Sequence, residues 1–243
     1  MASQHKITHY TDPDCPWCHR VDVALKVLGV PHEKVTVDLD KPREPWYYEI
    51  NPKGTVPSLK YSNDSTVSEP QIIPDSGAIT QFLADLFPPR LLPPSDESPS
   101  AALVRARMTL LLDAWSKVPS KFFAILLAPT PAEQDEHVKD LIAMLEKDIE
   151  PMLGGMAPFF GGSKELTYVE VMCASILARM IFYAEDGTCV PSTLKSGLDS
   201  LPKFSKWATA VATDEIVASF FNAGRYKTRM AAFRENLLAK GKP

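Results

Sequence analysis

Asp12-Pro13-Asp14-Cys15-Pro16-Trp17-Cys18-His19-Arg20 is the stretch around which this chain is organised. An apolar-alternating run, Lys6-Ile7-Thr8-His9-Tyr10, leads into it, and apolar residues at helical spacing, Val21, Ala24, Leu25, Val27 and Leu28, lead out. The two cysteines therefore fall at a strand-to-helix turn. Asp14 is expected to cap the helix and Pro16 to occupy its first turn, which sets Cys15 against backbone N–H groups that lack an intrahelical partner. Their partial positive charge favours a thiolate, and such placement lowers a cysteine pKa from about 8.5 toward ~3.5–7.5. Cys18, three residues on, shares the helical face, so its sulfur is within reach of a mixed disulfide formed at Cys15.

Other uses of the motif fit less well. Cys15-x-x-Cys18-His19 matches a haem-attachment pattern, but it opens an amphipathic helix in a βαβ setting and no secretory signal is recognised. Zinc needs two more ligands at matched spacing, whereas Cys173 and Cys189 are isolated and His9, His32 and His137 form no second pair, so no metal is expected. A small buried hydrophobe describes Cys173 better than Cys15.

With 243 residues, 45% of them hydrophobic and 23% charged, the chain has enough material for two modest domains. A net charge of −4 and the lack of a basic stripe with interleaved aromatics argue against nucleic acid as a partner. Four cysteines, two of them solitary, make no secreted disulfide framework, and a reducing cytoplasm is the expected compartment. The longest apolar run, Phe122 to Leu127, falls far short of the ~20 residues that a membrane span requires, so no membrane association is expected.

Beyond the first helix, Gly29 reads as its C-terminal stop and Lys34-Val-Thr-Val-Asp38 as a second strand. Trp46 to Ile50 is expected to form a helical turn, and Asn51-Pro-Lys-Gly-Thr-Val-Pro57 to lead into a strand from Ser58 to Tyr61. A proline just before a strand is a candidate cis peptide. At Val56–Pro57 it would leave the Val56 backbone unpaired by the sheet and open to an extended peptide. Asn63-Asp64 reads as a hairpin turn and Pro70 to Ile73 as a strand. Asp75-Ser76 stands before the helix pattern Ile79, Phe82, Leu83, Leu86, where it suits capping and the binding of a ligand carboxylate equally.

This βαβ-ββα order, the Cys-Pro-Trp-Cys turn, Gly54-x-Val56-Pro57 and Asp75-Ser76 resemble the glutathione-binding, thioredoxin-like domain of the cytosolic glutathione transferases. A cysteine at the helix start, where other classes have Tyr or Ser, resembles the omega class. The resemblance implies that Val56 pairs with the cysteinyl part of glutathione, ahead of Pro57, and that Asp75 and Ser76 hold its γ-glutamyl end. Pro16 and Trp17 then lie beside the thiol, and Lys41, Arg43 and Lys53 are alternatives for the glycine end. Two departures stand out: omega enzymes commonly carry a small non-thiol residue where Cys18 stands, and the acidic residue before Ser76 is Asp instead of Glu.

Pro88 to Pro99 is proline-rich and reads as a linker, giving a glutathione-binding domain over 1–87, the linker 88–99 and an all-helical domain over 100–243. Leu103, Ala106, Arg107, Leu110, Leu111, Ala114, Trp115 and Val118 suggest one long amphipathic helix. A second is expected from Pro131 to Pro151, and a Thr167-x-x-Glu170 capping box precedes an apolar run that ends at Tyr183 and reads as a central buried helix. Three further patterns, 203–212, 215–222 and 227–238, complete a bundle. Trp115-Ser-Lys-Val-Pro-Ser120, Pro158-Phe-Phe-Gly-Gly162 and Leu201 to Trp207 resemble omega-class segments in the right order.

The resemblance implies the glutathione transferase fold, glutathione as co-substrate, a homodimer and a glutathione-dependent thiol transferase or reductase with Cys15 as nucleophile and Cys18 beside it. Alternatives are conjugation of small electrophiles, or a redox-regulated protein like the chloride intracellular channels. A second-substrate pocket for a small hydrophobic, disulfide or glutathionylated partner is expected between the domains, from Trp115, Phe122, Phe123, Arg179, Phe182, Tyr183 and Tyr226, although aromatics at helical spacing suit a core equally.

Overall fold

The computed structural model describes residues 5–239, and the chain divides into two compact units with the break between Leu92 and Pro93. In the first, β1 (His5–Thr11), β2 (Glu33–Thr36), β3 (Ser58–Asn63) and β4 (Val67–Ile73) form one sheet in the order β2-β1-β3-β4. β1 runs parallel to β2, whereas β3 pairs antiparallel with both β1 and β4. A parallel neighbour requires a crossover, and α1 (Pro16–Leu28) supplies it. Five consecutive residues of β1, Ile7 to Thr11, are buried, as befits a central strand covered on both faces. β4 takes an edge, where Pro70 costs no ladder hydrogen bond.

α1 ends at Gly29, whose φ of 65° closes the helix through N–H contacts to the Leu25 and Lys26 carbonyls. The second strand is shorter than expected. Val37 N–H still reaches the Thr11 carbonyl, but the chain then turns so that Val37 and Leu39 pack into a cluster with Tyr10, Cys15, Cys18, Tyr47 and Val56. α2 (Pro45–Ile50) contributes Tyr47 to that cluster, and α3 (Ser76–Leu86) packs against α1.

The second unit is helical: α4 (Pro99–Trp115), α5 (Val118–Leu127), α6 (Pro131–Met144), α7 (Tyr168–Asp186), α8 (Thr193–Asp199), α9 (Pro202–Thr213), α10 (Glu215–Ser219) and α11 (Ala223–Ala239). α6 continues through a wider turn over Leu145–Ile149 and a tighter one over Glu150–Leu153. The single long helix expected over 103–118 is two. α4 stops at Trp115, and α5 begins anew with Pro119 in its first turn, where a missing N–H is harmless. The buried side of α4 carries Ala101, Met108, Leu111 and Trp115, while Leu103 and Leu110 are exposed. Of the residues that carried the helical period, Leu111, Trp115 and Val118 are buried, whereas Ala106 and Arg107 join Leu103 and Leu110 on the outside. α8 had no counterpart in the sequence reading.

α7 is the buried centre. Its capping box forms as expected, and the Glu170 carboxylate accepts from Thr167 N (3.0 Å), Thr167 Oγ1 (2.6 Å), Phe160 N (2.9 Å) and Trp207 Nε1 (2.9 Å). One side chain thus starts α7, anchors the loop before it and fixes α9. Glu150 plays a similar part at the start of α9, accepting from Lys203 N and Phe204 N. Among the described residues, no helix is long and apolar enough to cross a membrane.

Candidate active site

β1 delivers the chain to the turn at Asp12, whose carbonyl accepts from Cys15 N and whose carboxylate accepts from Asp14 N at 2.9 Å. Asp14 does not cap the helix. Pro16, with its fixed φ, takes the first helical position, so Cys15 itself is the N-cap. Proline also removes one donor, leaving the Trp17 and Cys18 amides as the helix-start N–H groups beside the thiol. Cys15 is 8% exposed, and its Sγ lies 3.8 Å from the Val56 carbonyl, to which the thiol donates. Cys18 is wholly buried one turn in, and its Sγ accepts from the Asp12 amide at 3.3 Å. Burial first, and then the neighbouring Cys15, push the Cys18 thiol well above its ordinary value.

Val56 and Pro57 reach the site on the loop between α2 and β3, and the bond between them is cis. That loop is braced from within. Tyr47 Oη and Asn51 Nδ2 both donate to the Thr55 carbonyl, and Asn51 Nδ2 also donates to Thr55 Oγ1. Gly54, at φ 63°, turns where a Cβ would meet the Tyr48 ring at 2.9 Å.

Asp75 caps α3 by accepting from Ala78 N at 2.9 Å, and Ser76, the first helical residue, is buried. A cavity of about 300 Å³ opens here, lined by Trp17, Arg20, Thr55, Val56, Pro57, Pro74, Asp75 and Ser76. It brings together Trp17, Val56, Pro57, Asp75 and Ser76 from the residues read in the sequence, and it adds Arg20. The guanidinium donates to Ser76 Oγ at 3.0 Å and lies 4.9 Å from the centre of the Trp17 ring. The sequence did hold a signal for Arg20: it follows Trp17 by three residues in a helix, which puts both on one face.

The three basic residues stand outside that lining. Arg43 donates to the carbonyls of Asp38, Lys41 and Gly54, which holds the loop together. Lys41 is exposed and pairs with Asp38 at 2.9 Å, and Lys53 is exposed.

The glutathione S-transferase N-terminal domain family matches residues 14–86, the segment that holds this cavity. Rat glutathione S-transferase omega-1 is 25% identical over 232 residues, covering 95% of this chain and 87% of the relative. This chain carries a glutathione S-transferase N-terminal domain. Omega-class homologues match the chain over most of its length, among them a probable omega-2 glutathione transferase of Caenorhabditis briggsae at 27% identity, covering 86% of the chain and 81% of the relative. Its fold is that of a rice glutathione transferase solved in complex with glutathione, with a TM-score of 0.77 at 21% identity and coverage of 97% of this chain and 99% of that one.

In the helical unit of the chain, Phe122, Phe123, Arg179, Phe182, Tyr183 and Tyr226 form one aromatic cluster, which also takes in Phe221. Arg179 is buried, with its guanidinium 4.4 Å from the Tyr226 ring centre and 4.9 Å from that of Phe221, and it donates to the Ser175 carbonyl. Burial first, then Tyr226, push the Tyr183 phenol up. Trp115 is elsewhere, packed against Phe204 and Trp207. Sequence reasoning missed Phe221, which follows the short helix α10 and lies outside any long apolar period.

Proposed function

We propose that this glutathione transferase acts mainly as a glutathione-dependent thiol transferase and reductase, with Cys15 as the nucleophile. The observation that carries this reading is a thiol, in place of a hydroxyl, at the N-cap of α1, next to the Val56 carbonyl and the cavity that ends at Asp75 and Ser76. The Cys15 thiolate attacks the glutathionyl sulfur of a mixed disulfide, forming Cys15–S–S–glutathione and expelling the other partner as a thiolate that takes up a proton. A second glutathione, as its thiolate, attacks the glutathionyl sulfur, yielding glutathione disulfide and regenerating the Cys15 thiolate. In sum, the mixed disulfide and one free glutathione give the released thiol and glutathione disulfide, one disulfide bond being exchanged for another. Conjugation is a side activity in this reading, because no hydroxyl stands at the helix start to hold a glutathione thiolate.

The γ-glutamyl end is assigned to Asp75 and Ser76, the cysteinyl part to the Val56 backbone, and the glycine end to Lys41, Arg43 or Lys53. The aromatic cluster around Arg179 and Tyr183 is the proposed contact for the second substrate, without Trp115. The cytoplasm is the proposed compartment. Purified protein assayed with glutathione against hydroxyethyl disulfide, dehydroascorbate and a chloronitrobenzene tests the reading. Turnover of the first two well above the third is expected, and the reverse order would replace reduction by conjugation.

A further inference from the structure

Thr11 closes β1 and is wholly buried, and its Oγ1 has no hydrogen-bond partner among the described residues. Valine has the same β-branched shape and suits a strand equally, so packing gives no reason for a hydroxyl that costs free energy when buried unpaired. We propose that the Thr11 hydroxyl donates a hydrogen bond to the Cys18 sulfur when that sulfur is charged, and so sets the rate at which Cys18 displaces glutathione from Cys15. The inference rests on Cys15 carrying glutathione, as in the function proposed above.

Side chains alternate along a strand, so Thr11 shares a face of β1 with His9. That face meets α1, because His9 Nδ1 lies 3.5 Å from Asp22 Oδ1. Cys18 precedes Asp22 by one helical turn, about 6 Å, and Thr11 follows His9 by two strand residues, about 7 Å. β1 runs into the turn at Asp12 and α1 runs out of it, so both steps lead toward the turn and bring Thr11 opposite Cys18. The next residue fixes the register, since Asp12 N donates to Cys18 Sγ at 3.3 Å.

The other groups around this sulfur are already engaged or oppose its charge. Tyr47, which α2 brings to the same cluster, donates its phenol proton to the Thr55 carbonyl, and the Asp12 carboxylate accepts from Asp14 N. Burial, and then Cys15, hold the Cys18 thiol up, whereas Thr11 and the Asp12 amide pull it down. A hydroxyl left unpaired at rest and paired in the charged state lowers the barrier to displacement without stabilising the resting thiol. In that step Cys18 Sγ attacks Cys15 Sγ of the mixed disulfide. The Cys15–Cys18 bond forms as the bond to glutathione breaks, and the proton that Cys18 loses ends on the departing glutathione thiolate. One disulfide replaces another, and no outside oxidant or reductant takes part.

The test mixes the reduced full chain with glutathione disulfide, quenches with acid at intervals across a pH series and reads intact mass. Formation of the mixed disulfide at Cys15 and its conversion to the internal disulfide are thereby timed separately. Thr11→Val is expected to slow the conversion about ten-fold near neutral pH and to move its pH midpoint up by about one unit, while the first step stays within about two-fold. Thr11→Ser, which keeps the hydroxyl, should restore most of the rate. A merely structural Thr11 would slow both steps alike and leave the midpoint in place, and that result, or a conversion in Thr11→Val as fast as in wild type, overturns the proposal. If thermal melting shows that Thr11→Val does not fold, Thr11→Ser against Thr11→Ala gives the same comparison, because those two differ by the hydroxyl alone. Cys18→Ala cannot form the internal bond and should retain glutathione on Cys15. If it takes up none, the proposed nucleophile is wrong, and the inference falls with it.

Discussion

Cys15 and Cys18 sit three residues apart and are unequal for a physical reason. Cys15 is the N-cap, next to a cavity wall, while Cys18 lies inside the helix with no exposed surface, where burial holds it as a thiol. Cys15→Ser is therefore expected to abolish thiol transfer, and Cys18→Ala to keep it, with both rates read in the hydroxyethyl disulfide assay. After mild oxidation, mass spectrometry should find a Cys15–Cys18 disulfide in wild type, formed when the Cys18 thiol loses its proton and displaces glutathione from Cys15. If Cys18→Ala proved as inactive as Cys15→Ser, turnover would run through the dithiol. His9 offers a second prediction at this scale. It is wholly buried on β1, its Nδ1 3.5 Å from Asp22 Oδ1, with Lys34 bonded to the same carboxylate at 3.0 Å and the His32 ring 6.3 Å away. Burial is the largest effect on His9 and lowers its pKa below 6.5, despite the opposing Asp22. Burial alone would raise Asp22, but His9 and Lys34 outweigh it and hold the carboxyl below 3.8. Below pH 6.5 the unfolded chain therefore binds a proton that the folded chain refuses. Stability is full above 6.5 and declines as pH falls through the folded value of His9, while the loss tied to Asp22 begins only below 3.8. Urea midpoints should drop between pH 6.5 and 5, and His9→Gln should flatten that slope. An equal slope in the variant would assign the drop to another group.

Among the elements, α7 depends most on one side chain. Thr167→Ala removes the hydroxyl of the capping box and should cost about 1 kcal/mol. Glu170→Ala is a larger change, because it strands donors from Thr167, Phe160 and Trp207 in a site with no exposed surface, and a loss of roughly 3 kcal/mol or more is expected in urea unfolding. Similar costs for the two variants would show that the bonds to Phe160 and Trp207 add nothing. The box was legible because a Thr and a Glu three residues apart form it within one turn. The bonds to Phe160 and Trp207 span ten and 37 residues of sequence, and no local pattern announces them. The same contrast explains α4. Its 3.6-residue period was visible, but an apolar residue every third or fourth place marks two faces when leucines stand on both, and only packing chose Met108 and Leu111 over Leu103 and Leu110.

For the whole molecule, Leu103 at 58% exposure and Leu110 at 62% leave an apolar stripe on α4 that a soluble monomer has reason to cover. It is the proposed surface for the homodimer that the family resemblance implies. Leu103→Glu with Leu110→Glu should convert a dimer to monomers in sedimentation equilibrium. A dimer that survives both charges would place its interface elsewhere.

By itself the sequence determined what is local: the thiol at a helix start, the Gly29 stop, the Thr167–Glu170 box and the order of strands and helices in the first unit. Each depends on residues within a turn or two of one another, so spacing alone carries it. Tertiary structure decided what depends on distant partners. It moved the cap of α1 from Asp14 to Cys15, divided the expected long helix, sent Trp115 to Phe204 and Trp207 and brought Arg20 to Ser76 across 56 residues. The physical reason is that a side chain's period fixes which neighbours it has along its own helix, while its use is set by the surface that another part of the chain presents to it.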